Sequence, residues 1–160
     1  PQVSGRLAYL GRSFGGGLGA LALPWDARFV RAFLQVPTFG HHPIRLRCPC
    51  VGSGEAVRRY YAYHPEVVEV LRYYDAATAA ARIRVPVLVA PARFDPAVPP
   101  PGQFAVANAI PDHETFVLTA GHVEYPEAEA EEAALTAAKR RWFADLSEGN
   151  PSSRDPSSNA

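Results

Sequence analysis

The sequence predicts an α/β protein of three layers, a mostly parallel sheet with helices on both faces. Two observations carry that expectation. Apolar runs of strand length, such as FVRAFLQV at 29–36, VPVLVAPA at 85–92 and TFVLTA at 115–120, alternate with stretches of helical composition. VPVLVAPA is apolar throughout, the pattern of a parallel strand covered on both faces, and parallel neighbours need right-handed crossovers.

Along the chain, the spacing predicts a first strand over 3–10, closed by Gly11, and a short helix from Phe14 to Leu23 stopped by Pro24. A second strand over 29–36 ends at Pro37. Residues 38–52, with His41, His42, Pro43, Pro49 and Gly52, read as loop. Three helices follow: one from Ser53 to Tyr63, one entered at Pro65 and running to about Tyr74, and AATAAARI behind the capping residue Asp75. The strand 85–92, a helix over 102–110 and a last strand over 115–120 complete the sheet. A long helix opens at Pro126, acidic early and basic around Lys139, Arg140 and Arg141. From Ser147 the polar text SEGNPSSRDPSSNA is expected to be a disordered tail, which leaves 1–146 as the folded part.

Bulk properties narrow the function classes. With 160 residues the chain fits one domain. Sixteen basic and sixteen acidic side chains leave no excess charge for a nucleic acid or a membrane surface, and no apolar run has the length of a span. Cys48 and Cys50 stand one residue apart, too close for an unstrained disulfide and only half of a typical zinc site. They are therefore expected to be reduced thiols, as in a cytoplasmic protein. The lack of methionine and the abrupt start at Pro1 suggest a piece of a longer polypeptide.

The chemistry is concentrated at GRSFG, Gly11 to Gly15, which fits the G-x-S-x-G nucleophile elbow between a strand and a helix. The glycines on either side are expected to relieve crowding around Ser13, and Gly16 and Gly17 to let the helix approach the sheet. The N–H of Phe14 would face a forming oxyanion. A serine needs a base, and the base needs an orienting acid. Asp95 follows the strand 85–92 directly, and His122 follows the strand 115–120, so both sit at the carboxyl rim that the elbow shares. Asp112 and His113 lie at the wrong end of that last strand. Asp75 is a cap, His64 a surface or capping residue, and the pair His41–His42 a solvent-facing loop feature. Glu124 is read as a first-turn helix residue, with support of His122 as its alternative. The tyrosines of RRYYAYHPEVVEVLRYYD recur at helical spacing and are expected to pack between helices or at a subunit contact, with a carbohydrate platform as the other reading.

From about Gly5 to Leu146 the text resembles the carboxyl-terminal half of the acetyl xylan esterase/cephalosporin-C deacetylase family, carbohydrate esterase family 7. YLGRSFGGGL, RYYDAATAAARIRVPVL, RFDPAVPPPGQFAVANAI and AGHVEYP carry the likeness. It differs in having Phe14 where glutamine usually follows the serine, and Val123 between His122 and Glu124. The resemblance implies an α/β-hydrolase fold with Ser13 as nucleophile, His122 as acid and base, and Asp95 as orienter. It implies no cofactor and no metal, a small acetyl ester as substrate, and homo-oligomeric hexamers. It also places the second oxyanion donor upstream of the chain.

The expected function is removal of acetyl groups from acetylated xylo-oligosaccharides or cephalosporin-like esters through an acyl-enzyme. The alternatives are a peptidase or general carboxylesterase on the same fold, or a catalytically incomplete fragment. A version extended at its amino end is expected to be more active and more soluble.

Overall fold

The structure is a computed structural model that describes residues 6–147; the polar stretch 148–160 and positions 1–5 lie outside the described residues. Its centre is a parallel sheet in the order β1 (Leu7–Arg12), β2 (Phe29–Gln35), β3 (Val87–Ala90), β5 (His113–Thr115). Two short strands, β4 (Ala92–Phe94) and β6 (Leu118–Ala120), form a separate pair beyond it.

The expected strands 85–92 and 115–120 are thus each divided. The cause is Pro91, which has no N–H to give to the ladder. Register survives the break, with Val89 opposite Thr115 before it and Ala92 opposite Leu118 after it. The N–H groups of Phe116 and Leu118 still donate to the carbonyls of Val89 and Pro91. The first strand also runs further than expected, so that Gly11 and Arg12 pair with Leu34 and Gln35.

Alternation along β2 explains the layers. Ala32 and Leu34, with Val87 and Val89, face a cluster built from α1 (Phe14–Ala22), α5 (Ala76–Ala80) and α6 (Pro100–Ala109). Phe33, Leu88 and Ala90 face the opposite way, onto Leu135 and Ala138 of α7 (Ala128–Ser147). Trp142 ties α7 down, its indole N–H donating to the Ala32 carbonyl at 2.9 Å, while the Arg31 guanidinium lies over its ring. The long helix starts two residues later than Pro126. Glu129 and Glu131 occupy its first turn, but its last turn carries no basic residue, so only its amino end complements the dipole.

Between β2 and β3 the chain runs through α2 (His42–Arg45), α3 (Ser53–Tyr63), α4 (Val67–Leu71) and a single 3-10 turn at Arg72–Tyr74. The segment 38–52 is therefore not all loop. His42 is buried, its N–H donating to the Asp75 carboxylate at 2.7 Å, and Asp75 also caps α5 by accepting from the Thr78 N–H. His41 stays exposed and caps α2. Most tyrosines of α3 and the following turn do not pack between helices as expected: Tyr63 and Tyr73 are 84% and 85% exposed, whereas Tyr61 is half-buried and Tyr74 lines a hollow against α1. No helix among the described residues is long and apolar enough to cross a membrane.

Candidate active site

β1 ends one residue before Ser13, whose backbone takes φ 54° and ψ −115°, a strained region for a residue with a Cβ. The turn is fastened on three sides. The Ser13 N–H donates to the Gln35 carbonyl, the Ser13 carbonyl accepts from Gly17 and Thr38, and the Tyr9 hydroxyl donates to the Gly15 carbonyl at 2.6 Å. Phe14 is the first residue of α1, so its N–H has no helical carbonyl one turn back.

The glycines divide in their roles. A Cβ on Gly11 would lie 2.5 Å from the Gly15 carbonyl oxygen, so this glycine is sterically required. On Gly15 it would meet nothing, which corrects the expectation that both flanking glycines relieve crowding. Gly16 and Gly17 do bring α1 onto the end of β2, and Gly19, unnoticed in the sequence, does the same against Tyr9 and Leu34.

Asp95 lies just past β4 and His122 just past β6, side by side because these strands pair. The imidazole Nε2 stands 2.9 Å from Ser13 Oγ, and Nδ1 stands 2.8 Å from Asp95 Oδ2. A carboxylate only accepts, so Nδ1 carries the proton and Nε2 offers its lone pair to the serine hydroxyl. The Asp95 side chain is fully buried, whereas that of His122 is 24% exposed. Gly121 is what lets them meet, for a Cβ there would stand 2.5 Å from Asp95 Oδ2. His122 itself has φ 52°, a second strained residue at the same place.

Two supporting residues escaped the sequence reading. Gln103 of α6 is wholly buried; its amide donates to Asp95 Oδ2 at 3.0 Å and to the Val98 carbonyl, and its oxygen accepts from the Ala92 N–H. With the N–H groups of Ala97 and Val98 on Oδ1, Asp95 then has four donors. The text offered little signal, since Gln103 is one of two amides, with Asn108, in the otherwise apolar helix text GQFAVANAI. Glu131 of α7 accepts from the N–H and hydroxyl of Thr119 and from the Tyr125 hydroxyl, so one carboxylate grips both flanks of the His122 loop. Burial, reinforced by that bond, pushes the Tyr125 phenol up to about 12. Burial alone would raise the Glu131 carboxyl, but the bonds from Tyr125 and Thr119 outweigh it and hold it low.

The other candidates lie elsewhere. His113 sits in β5 opposite Val87, at the amino end of the sheet, and its Nδ1 bonds the Ile110 carbonyl. His64 ends α3, stacked on Tyr60. Glu124 lines a hollow of about 550 Å³ beside His122, together with Arg12, Gln35, Tyr125 and Glu129. Among the described residues no group of three His, Cys, Asp or Glu side chains could hold a metal ion, and Cys48 and Cys50 are both free.

A sequence profile described as acetyl xylan esterase matches residues 3–143. The chain belongs to the acetyl xylan esterase family. Solved structures of the same fold include the acetyl xylan esterase from Paenibacillus sp. R4, with a TM-score of 0.69 and 25% identity over 82% of this chain and 44% of that one. Acetyl xylan esterase 1 from Thermoanaerobacterium sp. JW/SL YS485 gives 0.70 and 21%, over 88% of this chain and 45% of that one. A puromycin hydrolase gives 0.71 and 20%, over 91% and 22%. The chain thus spans less than half the length of each. None of the curated proteins compared with it matches. The fold is that of the α/β hydrolases, as the sequence predicted.

Proposed function

We propose that this acetyl xylan esterase family member is a serine carboxylesterase acting through a Ser13–His122–Asp95 triad, with acetyl esters of small carbohydrates as substrates. The observation that carries the reading is the unbroken pair of hydrogen bonds, 2.9 Å and 2.8 Å, from serine through imidazole to a buried carboxylate.

In this mechanism Ser13 Oγ attacks the ester carbonyl while His122 Nε2 removes its proton. The imidazolium is held in place by Asp95, whose carboxylate is fixed in position by the Ala97, Val98 and Gln103 donors. Negative charge on the carbonyl oxygen is met by the Phe14 N–H at the start of α1. His122 then returns the proton to the departing alcohol, and water enters by the same steps to release the acid. The hollow beside His122, polar and open, suits a hydroxyl-rich leaving group.

A fluorophosphonate probe tests the reading. It is expected to label Ser13, and to fail on Ser13→Ala and on heat-unfolded protein. Labelling spread over other serines, or equal in Ser13→Ala, would rule the nucleophile out. Hydrolysis of acetylated xylose, p-nitrophenyl acetate and a peptide amide then separates ester from amide chemistry; faster amide cleavage would favour a peptidase.

A further inference from the structure

The hollow beside His122 contains a side chain that the triad does not use. On β2, Phe33 faces α7, and Gln35, two residues further along the strand, shares that face. Gln35 pairs with Arg12 at the end of β1 and is only 8% exposed. Its backbone carbonyl holds the Ser13 N–H, but its side-chain amide forms no hydrogen bond with any described residue. Two other side-chain atoms among the described residues lack a partner, Thr38 Oγ1 and His42 Nδ1, and both are sealed from solvent. The Gln35 amide is not sealed. The residue lines the hollow of about 550 Å³ whose other walls include His122, Val123, Tyr125 and Ala128. Gln103 makes the contrast, a buried glutamine whose three hydrogen bonds are all met inside the protein.

A side-chain amide so buried and without a partner is uncommon, because burial strips it of water and nothing replaces the lost bonds. It suits a ligand group that both donates and accepts, as a hydroxyl does. The course of the leaving group supplies that ligand. The departing oxygen has to reach His122 Nε2 to take its proton. His122 is a wall of this hollow, so the alcohol that carries the oxygen extends into it. We infer that the hollow is the alcohol subsite and that Gln35 is its specificity-determining residue, bonding a free hydroxyl next to the acetylated oxygen of a sugar. The inference deepens the proposed function and rests on Ser13 and His122 acting as stated there. Selection then falls on the alcohol side, and acetyl remains the acyl group. The volume is that of an ordinary small-molecule site and is ample for a sugar ring.

Two acetates that differ by a single hydroxyl test it: cyclohexyl acetate and the monoacetate of trans-1,2-cyclohexanediol, whose free hydroxyl lies as it does beside an acetylated oxygen in xylose. A hydroxyl met by a buried amide should raise kcat/KM for the diol ester at least about tenfold over cyclohexyl acetate. Gln35→Leu keeps the bulk and removes the bonds, and should bring that ratio down to about one. Ala128→Trp, which fills the hollow from α7, should do the same and takes its place if Gln35→Leu does not fold. The ratio is taken within each variant, so a general loss of activity cancels. In a chain that labels with the fluorophosphonate without turning over, methyl β-xyloside is expected to slow labelling of Ser13 where cyclohexanol does not. Three results overturn the role of Gln35 and leave the nucleophile standing. They are labelling at Ser13 with a starting ratio near one, a ratio that Gln35→Leu, or in its place Ala128→Trp, leaves unchanged, and, without turnover, no protection by the xyloside. A chain that neither turns over nor labels at Ser13 overturns both.

Discussion

Gln103 shows how much of a site can hang on a residue that never meets substrate. It fills three hydrogen-bonding positions at once, on Ala92, Val98 and Asp95, with none of its surface exposed to solvent. Gln103→Leu leaves those partners unmet, and a buried unmet polar group costs about 1–3 kcal/mol, so a loss of at least about 2 kcal/mol in urea denaturation is expected. If it positions Asp95, kcat on p-nitrophenyl acetate falls while KM stays; a merely structural role would lower the midpoint and leave kcat of the folded fraction intact. Asp95→Asn, which favours the wrong imidazole tautomer, should cost about 10⁴ in kcat. Ser13, Asp95 and His122 were legible in the text because each follows an apolar strand at the carboxyl rim. Gln103 and Glu131 were not, since a glutamine in a helix, or one acid among several, has no sequence mark of its burial or aim.

Among the elements, α1 depends on its glycines in unequal measure. A Cβ on Gly19 would come within 2.3 Å of the Tyr9 ring, so Gly19→Ala should destabilise by about 1–3 kcal/mol through overpacking. Gly15→Ala, inside the motif itself, adds a methyl to open space in a helix and should be neutral or stabilising by up to about 1 kcal/mol. Thermal melts of the two variants give opposite signs if the packing is as described. α2 contributes a pH dependence. His42 has its pKa lowered from 6.5, chiefly by burial and with help from Arg45, against the opposing pull of the Tyr74 carbonyl and Asp75. The unfolded chain therefore binds a proton that the folded chain refuses, so this stability is full above about 6.5 and is lost as pH falls below it. The urea midpoint should drop between pH 7.5 and 5.5, and His42→Gln should flatten that slope. Neither feature was evident beforehand: the histidine pair read as loop because prolines hide a helix of one turn, and contact distances decide which glycine matters.

At the scale of the molecule, alternation of apolar and helical text was enough to give the layers, the parallel sheet and the rim. It could not show that Pro91 would divide two strands, because the missing N–H matters only once a partner is in register. β1 lies at an edge of the described sheet, with Leu10 59% exposed beside Phe33. An apolar edge strand invites pairing between copies, so association should rise with concentration in size-exclusion runs and diminish in Leu10→Lys. The grip of Glu131 on Thr119 and Tyr125 has its own consequence. It makes the start of α7 a latch for the imidazole, while the serine is anchored to β1 and β2. Mild denaturant that loosens only the first turn of α7 should then lower any turnover before most of the helical circular dichroism is lost, so that loss of turnover and loss of fold come apart on a single titration.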